Sequence, residues 1–365
     1  MPAKPVVAIT MGDPAGIGSE VIVAASPRVA ELANAVVVGD AGVVRDAVAV
    51  RGSSLSVATV ERVADARFDP GTIEVLEVDG GSGTGRSGAI DDHEYGVVRA
   101  DYGAASLAYV ERVIELATAG AVDAIVTAPI NKQATRLAGS EHAGHTGLLA
   151  ARTGTDVYAM LLVHDDLRVT HVSTHVPLRE ACDLVTADRV FDTIRVTETG
   201  LRDLGIDAPR IAVAGLNPHA SDGGLLGETE AETIEPAVRR ACEAGIDVTG
   251  PSPPDTVFAR AAHDGEDAPD CVVAMYHDQG HIPIKMLGFG AGGVTGVNVT
   301  VGLPIVRTSV DHGTAFDIAG EGVADETSMV EAVEVAVRMA GERSELSRRR
   351  AGRSAVRERD DLDRR

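Results

Sequence analysis

Residues 6–20 read VVAITMGDPAGIGSE, and this stretch decides the fold class. Val6–Thr10 is rich in β-branched residues and predicts a buried strand. The segment after it contains Gly12, Gly16 and Gly18, which permit a tight turn and close approach of a ligand to the backbone. A strand that turns directly into a helix is typical of an α/β fold, and the start of such a helix offers free N–H groups to an anion. The turn lacks the GxGxxG pattern of ordinary dinucleotide sites, so a plain strand-to-helix turn is the alternative.

The same alternation of short apolar runs and longer amphipathic stretches continues along the chain. It predicts an α/β fold with a largely parallel sheet. Aromatic residues are only 3% of the sequence and Trp is absent, so the core must consist of Val, Ala, Leu and Ile. Further predicted strands are Ala35–Val38, Ile73–Val78, Ala124–Ala128, Tyr158–Val163, Arg168–Val172, Arg210–Ala214 and Cys271–Met275, and the clearest predicted helices are Tyr102–Thr118, Ala187–Leu204 and Glu228–Ala244.

Composition excludes several classes of partner. The formal net charge is −22, which repels nucleic acid and anionic membranes. We interpret this acidity as salt adaptation, since a codon bias toward Arg and Ala would not explain it. The three Cys are widely spaced and form no CxxC, which indicates a reducing compartment. With no signal peptide and no apolar run long enough for a bilayer, we expect a cytoplasmic protein.

Two polar segments receive no functional role. Asp79–Gly88 (DGGSGTGRSG) is predicted to be a surface loop, because no helix starts after it as a dinucleotide loop requires. The tail from Glu342 to Arg365 is rich in charge and is predicted to extend the last helix before fraying.

Two motifs after predicted strands suit anion binding. Residues 127–132 read TAPINK and include Lys132, one of only three lysines. Ligands collect at the carboxyl ends of strands in open α/β sheets, although a solvated surface amine is the alternative. His145 and Thr146, in EHAGHTG (141–147), place an imidazole beside a hydroxyl, a pair that suits a phosphate or carboxylate. A polar surface loop is the alternative there.

Three histidines each follow a different predicted strand. His175 lies in VTHVSTHVPL (169–178), His219 in GLNPHASDGG (215–224) and His277 in MYHDQGHIPIK (275–285). If these strands are parallel, the three rings meet at one rim, where three imidazoles and an open position make a catalytic site for a divalent metal. Three independent structural histidines are the alternative. His171 falls within its strand and is interpreted as either a packed residue or one that supports a ligand from behind.

Eight motifs, in this order, resemble the 4-hydroxythreonine-4-phosphate dehydrogenase family. They lie between residues 6 and 320 and read MGDPAGIG, APINK, GHT, THVPL, GLNPHA, PDTVF, YHDQG and RTSVDHGTA. The resemblance implies a two-domain α/β fold similar to isocitrate and isopropylmalate dehydrogenases, with the active site in an interdomain cleft completed by the second subunit of a homodimer. It implies a first domain of residues 1–129 plus 288–341, a second of 130–287 that carries most metal ligands, and a charged tail of 342–365.

The resemblance also implies roles for individual residues. Lys285 or Asp278 would act in proton transfer, and we favour Lys285. The segment 311–320 (DHGTAFDIAG) resembles the one that holds NAD adenosine in the isopropylmalate dehydrogenase group. The implied metal ligands are His175, His219 and His277; the substrate contacts are His145, Thr146, Lys285, Asn298 and Arg307; the cofactor contacts are Gly12, Asp13, Gly16, Asn217, Asp311, His312, Gly313 and Thr314.

The implied reaction is metal-dependent oxidation by NAD, or by NADP, at C3 of a 4-phosphorylated 3-hydroxy acid, followed by loss of CO2. The metal would be one Zn, Mg, Mn or Co ion per site. His281 and the long segment 286–297 look more like the branch that acts on 4-phospho-D-threonate or D-erythronate and gives dihydroxyacetone phosphate. The alternatives are 4-hydroxy-L-threonine 4-phosphate as substrate, a metal-dependent aldolase or hydrolase without NAD, and a non-catalytic metal- or phosphate-binding protein.

Overall fold

The computed structural model describes residues 4–78, 90, 92–140, 145–290, 293–294 and 296–363, with the side chains of 288–290, 293–294 and 349–363 left out. The predicted loop Asp79–Gly88 lies outside the described residues. None of the helices in the described part of the chain combines the length and the apolar character needed to cross a membrane.

Fourteen strands are described, and twelve of them form one sheet. Its order is β3-β4-β2-β1-β5-β14-β13-β6-β7-β10-β8-β9, and β11 pairs only with β12. The strands are β1 Val6–Thr10, β2 Asn34–Gly39, β3 Ser56–Val60, β4 Thr72–Glu77, β5 Ala124–Thr127, β6 Ala159–His164, β7 Leu167–His171, β8 Ile211–Ala214, β9 Val248–Ser252, β10 Cys271–Ala274, β11 Phe289–Gly290, β12 Gly293–Val294, β13 Val297–Val301 and β14 Arg307–Val310.

Helices connect most of these strands. They are α1 Gly18–Leu32, α2 Ala41–Val50, α3 Ala100–Thr118, α4 Lys132–Leu137, α5 His145–Thr153, α6 Leu178–Leu184, α7 Ala187–Asp203, α8 Glu235–Glu243, α9 Pro254–His263, α10 His277–Gly288 and α11 Thr327–Asp363. A π-helical turn, Glu230–Ile234, runs directly into α8, so the predicted helix Glu228–Ala244 begins as a π-helix and continues as an α-helix. Helix α11 runs into the charged tail, as predicted.

The sheet consists of two parallel blocks. One block contains β3, β4, β2, β1, β5 and β14, and the other contains β7, β10, β8 and β9. Three antiparallel pairs, β14–β13, β13–β6 and β6–β7, join the blocks, so the second runs opposite to the first. The predicted α/β class with a mostly parallel sheet is confirmed. The division into two domains stays a prediction, because the sheet is continuous through β13 and β6.

The core has the composition expected from the scarcity of aromatic residues. Strands such as β1, β5, β8 and β10 are almost wholly buried and carry Val, Ala, Ile and Cys, as strands covered on both faces do. The eight predicted strands all lie in the sheet, but β3, β9, β13 and β14 were missed. Strands β3 and β9 are the sheet edges, and β9 contains a Gly-Pro pair that argues against a strand in the sequence pattern.

Candidate functional site

Three neighbouring parallel strands carry the predicted metal ligands. Strand β10 lies between β7 and β8 and is parallel to both. The carboxyl ends of parallel neighbours meet at one edge of the sheet. His175, His219 and His277 therefore follow strands that end at the same edge.

His175 and His277 are side by side. Their ring centroids are 5.2 Å apart. His277 Nδ1 lies 2.7 Å from Asp278 Oδ1, and since a carboxylate can only accept, Nδ1 is the donor and Nε2 is the nitrogen left for another partner. Burial, with smaller effects of the charges on Lys132 and His277, lowers the pKa of His175. Two adjacent imidazoles, one of them oriented by a carboxylate, are an arrangement found at metal sites.

His219 is separate from this pair. It begins a run of four non-glycine residues, His219 to Asp222, with φ between 47° and 68°. Left-handed backbone of this kind is strained and persists where surrounding contacts hold it. Glu230 supplies such contacts, since its carboxylate accepts from Ser221 Oγ and from the Asn217 amides. The His219 side chain is 64% exposed, and its Nδ1 lies 3.8 Å from Asp255.

Within one described chain, no three His, Cys, Asp or Glu side chains are close enough together to hold a metal ion. The structure thus brings together two of the three predicted ligands and presents the third to solvent. Asn217, predicted to contact the cofactor, has its side-chain amide bound to Glu230, a residue that no motif had indicated.

Arg307 is a buried cation without a carboxylate partner among the described residues. It begins β14 and is 3% exposed. Its Nη1 donates to Thr300 Oγ1 at 3.1 Å, and its Nη2 donates to Thr127 Oγ1 at 2.7 Å. Its Nε meets no acceptor in the described part of the chain. A buried guanidinium held only by hydroxyls leaves its charge available to an anion.

His145 lies near Arg307, close enough for the charge of the guanidinium to act on its pKa. His145 begins α5, and burial together with the charges of Arg307 and Lys132 holds its pKa well below the usual value. Two buried atoms, His145 Nε2 and Asn298 Oδ1, have no hydrogen-bond partner among the described residues. Thr146 follows His145 in the first turn of α5. A buried positive charge and buried polar atoms without partners in the described structure are features that a bound phosphate or carboxylate would satisfy.

The two predicted proton-transfer residues differ in their surroundings. Lys285, near the end of α10, forms an ion pair with Asp311 Oδ2 at 2.5 Å and donates to the Asp311 backbone oxygen at 2.9 Å. Asp278 is 71% exposed and contacts His277. Lys285 thus ties α10 to the segment after β14, whereas the contact of Asp278 is suited to orienting the His277 ring.

Most of the predicted cofactor contacts lie in two segments, the turn at residues 12–17 and the segment 311–320, and these two segments contact each other. A Cβ at Gly16 would lie 3.0 Å from the Thr314 side chain, and Ile17 N donates to Thr314 O at 3.0 Å. Gly12 has a φ of +78°, and a Cβ there would lie 2.4 Å from Pro129 O, so only glycine fits.

Glu20, which no motif had indicated as functional, also holds the second segment. Its carboxylate accepts from the Gly320 and Gly322 N–H groups at 2.6 and 2.7 Å.

The second segment also contains His312 and Gly313, which were predicted to contact the cofactor. His312 Nδ1 donates to Gly313 O at 2.9 Å, and its buried Nε2 has no partner in the described structure. A Cβ at Gly313 would meet nothing within 4 Å. Open space beside an unused buried nitrogen is compatible with a ligand between the two segments.

Asp13 is a buried and only partly hydrogen-bonded carboxylate in the first of these two segments. It is 1% exposed, its Oδ1 accepts from Ala15 N at 2.9 Å, and its Oδ2 has no partner among the described residues. Burial raises its pKa to about 6, against weaker lowering by the Ala15 and Asn131 N–H groups. The ionised form is therefore disfavoured in the folded protein, and this group destabilises the fold at neutral pH.

Asp13→Asn is expected to raise the free energy of unfolding by about 2 kcal/mol above pH 6, because the amide keeps the bond to Ala15 without the buried charge. The difference should shrink as pH falls from about 6 and should vanish below the unfolded pKa of 3.8, where the Asp13 carboxyl is protonated in both the folded and the unfolded state. Urea unfolding across this pH range measures it. Asp166→Asn, at a fully exposed position, is the control and should change nothing. A pH-independent difference would show that the carboxylate charge is not the cause.

Comparisons with known proteins agree on one family. A family model described as "Pyridoxal phosphate biosynthetic protein PdxA" matches residues 31–336. The 4-hydroxythreonine-4-phosphate dehydrogenase of Desulfosudis oleivorans is 45% identical over 343 residues, 92% of this chain and 96% of that protein. The D-threonate 4-phosphate dehydrogenase of Salmonella typhimurium is 47% identical over 337 residues, 92% of this chain and 98% of that protein.

A solved structure gives the same result. The 4-hydroxythreonine-4-phosphate dehydrogenase from Klebsiella pneumoniae matches with a TM-score of 0.79 and 43% identity, over 93% of this chain and 99% of that one. The family resemblance stated from the motifs is confirmed. The chain belongs to the PdxA family and is a dehydrogenase, an oxidoreductase that acts on a CH–OH group.

Proposed function

We propose that this dehydrogenase uses NAD and a divalent metal ion to oxidise C3 of a 4-phosphorylated 3-hydroxy acid, which then loses CO2. The proposed substrate is 4-phospho-D-threonate or D-erythronate, and the product dihydroxyacetone phosphate. The observation that carries the proposal is the buried guanidinium of Arg307, which has no carboxylate partner in the described structure and lies near His145, whose pKa is held well below its usual value. An anionic substrate supplies the missing charge.

The donor set fits a divalent metal ion. His277 is oriented by Asp278, and His175 lies beside it at a centroid distance of 5.2 Å. His219 is exposed on its own loop, and we propose that it completes the site of a second subunit in a homodimer. When bound, the ion supplies Lewis-acid polarisation of a substrate oxygen. A set of imidazoles suits Zn or Co better than Mg or Mn, which favour oxygen ligands and would depend more on substrate oxygens and water.

Side chains on both sides of the cleft bind the substrate in this proposal. Arg307, His145 and Thr146 hold one anionic group by charge and hydrogen bonds, and Asn298 offers its unused oxygen to a substrate hydroxyl. Lys285 donates a proton to the carbon or oxygen left electron-rich when CO2 leaves, and Asp311 holds its ammonium in place. Asp278 acts as the orienting group for His277.

The cofactor is proposed to lie between the two segments that meet at Gly16 and Thr314. Free N–H groups at the start of α1 suit its phosphates, and Glu20 fixes the second segment by accepting from Gly320 and Gly322. When bound there, NAD or NADP would supply the acceptor for the hydride at C3. We also retain the proposed domains 1–129 plus 288–341 and 130–287, and a cytoplasmic location, which agrees with three free cysteines.

The second candidate substrate is 4-hydroxy-L-threonine 4-phosphate, which differs by an amine at C2. It is supported by the Desulfosudis oleivorans relative, whereas the Salmonella typhimurium relative supports the threonate. A substrate panel tests the choice. We expect NADH formation with 4-phospho-D-threonate or D-erythronate at a kcat/KM at least about 100-fold above that for the amine, and loss of activity with a chelator.

The panel also tests the other classes of function. The reverse preference would assign the chain to the amine substrate. Phosphate release or carbon–carbon cleavage without NADH would indicate a metal-dependent hydrolase or aldolase. Binding of metal and substrate without turnover of any candidate would indicate a binding protein.

A further inference from the structure

Two histidines outside the predicted ligand set lie against His277. The ring of His281 is stacked on that of His277, with centroids 3.6 Å apart and an angle of 11° between the planes. The ring of His171 lies 4.8 Å from that of His281 and 6.2 Å from that of His277. Three imidazoles therefore form a column from the buried end of β7 to the metal-binding rim.

His281 is fixed to the same residue whose ring it contacts. Residues four apart on a helix are neighbours, and here the pair lies in the first turns of α10. His281 Nδ1 donates to the His277 backbone oxygen at 3.1 Å. The plane of the His281 ring is thus set by the backbone of His277, and the stack transmits this orientation to the His277 side chain.

His171 supports the column from below. It is 2% exposed, and its Nδ1 donates weakly to Met160 O at 3.4 Å. A Cβ at position 280 would lie 2.4 Å from His171 Nε2, so Gly280 allows α10 to pack directly on the ring. The His281 ring contacts His277 on one side and His171 on the other, and this close packing leaves it little room to leave the stack.

We propose that His281 is a positioning residue, which holds the plane of the His277 ring so that its Nε2 lone pair faces the divalent ion, with His171 as the buried support. This inference rests on the proposed metal site. A ligand ring that rotates freely about its Cβ–Cγ bond loses entropy on metal binding, whereas a stacked ring has already lost it. Residues that orient metal ligands in this way are worth about 10- to 100-fold in metal affinity.

Titration of the metal-free, full-length protein with Co²⁺ tests the proposal, since the visible absorption of the bound ion reports both affinity and ligand geometry. We expect His281→Leu to weaken Co²⁺ binding by about 10- to 100-fold and to shift the spectrum. His281→Phe keeps a flat ring on His277 and should bind within about threefold of the wild type. His263→Leu, at an exposed position at the end of α9, is the matched control and should bind normally.

His277→Ala separates failure of the inference from failure of the proposed function. If it binds Co²⁺ like the wild type, the proposed metal site is wrong. If it loses Co²⁺ while His281→Leu retains wild-type affinity and spectrum, the positioning role is wrong. A His281→Phe variant as weak as His281→Leu would also overturn the proposal, because stacking would then not be the cause. Thermal unfolding of each variant verifies that it is folded.

Discussion

Arg307→Met is expected to lower kcat/KM for the phosphorylated substrate by about 1000-fold and to leave the folded protein as stable as the wild type, or more stable. The loss of activity follows because Arg307 is the buried charge of the anion pocket, where a hydrogen bond to an ionised group is strong. Substrate would lose both the charge and the fork of donors.

The effect on stability has the opposite sign because Arg307 is not neutralised by a described carboxylate. Burial lowers its pKa to about 10, so the folded state disfavours the charged form. This cost, about 3 kcal/mol, is present at every pH below the folded pKa. Methionine removes this cost. The partners of Arg307 are the hydroxyls of Thr300 and Thr127, so the substitution leaves no buried carboxylate without its counter-ion.

Initial rates of NADH formation and urea unfolding measure the two effects on the same samples. Arg343→Met is the contrasting control: Arg343 pairs with Asp203, which is only 9% exposed. Removing that partner strands a carboxylate and should cost about 3 kcal/mol of stability, while kcat/KM stays unchanged. If Arg307→Met instead destabilised the protein as strongly, its guanidinium would be a structural group and not the anion site.

Mixing two inactive variants is expected to restore activity. His219→Ala and His277→Ala should each abolish turnover, since each removes one of three proposed metal ligands. If His219 serves the site of the other subunit, a heterodimer of the two variants contains one intact site and one doubly damaged site. Random reassociation of equal amounts then yields about one quarter of wild-type activity.

The measurement is NADH formation after the two proteins are mixed, dissociated and reassociated. Each variant treated alone is the control. The geometry within one chain motivates the test, because no three potential ligands are close enough to share an ion in the described structure. If the mixture stays inactive although mixed dimers form, His219 must join His175 and His277 within its own chain, and the loop at His219 would have to move.

Local pattern was sufficient for the fold class and for the candidate ligands. Strand β1 is buried on both faces and is followed by a glycine turn. Its apolar run and the turn at Gly12 could therefore be predicted from the local sequence. The same holds for the strand ends that precede His175, His219 and His277. The burial of the charge on Arg307 could not be predicted in this way, because Arg307 begins β14, a strand that the sequence pattern did not indicate.

The sequence by itself therefore determined an α/β chain of the PdxA family with its chemical groups placed at strand ends, because strand burial and turn glycines leave local patterns. Only the tertiary structure decided that Lys285 meets Asp311, that His281 stacks on His277 and that His219 lies apart. Such contacts depend on which strands become neighbours and on how helices pack across them. A local pattern carries no record of partners that are distant along the chain.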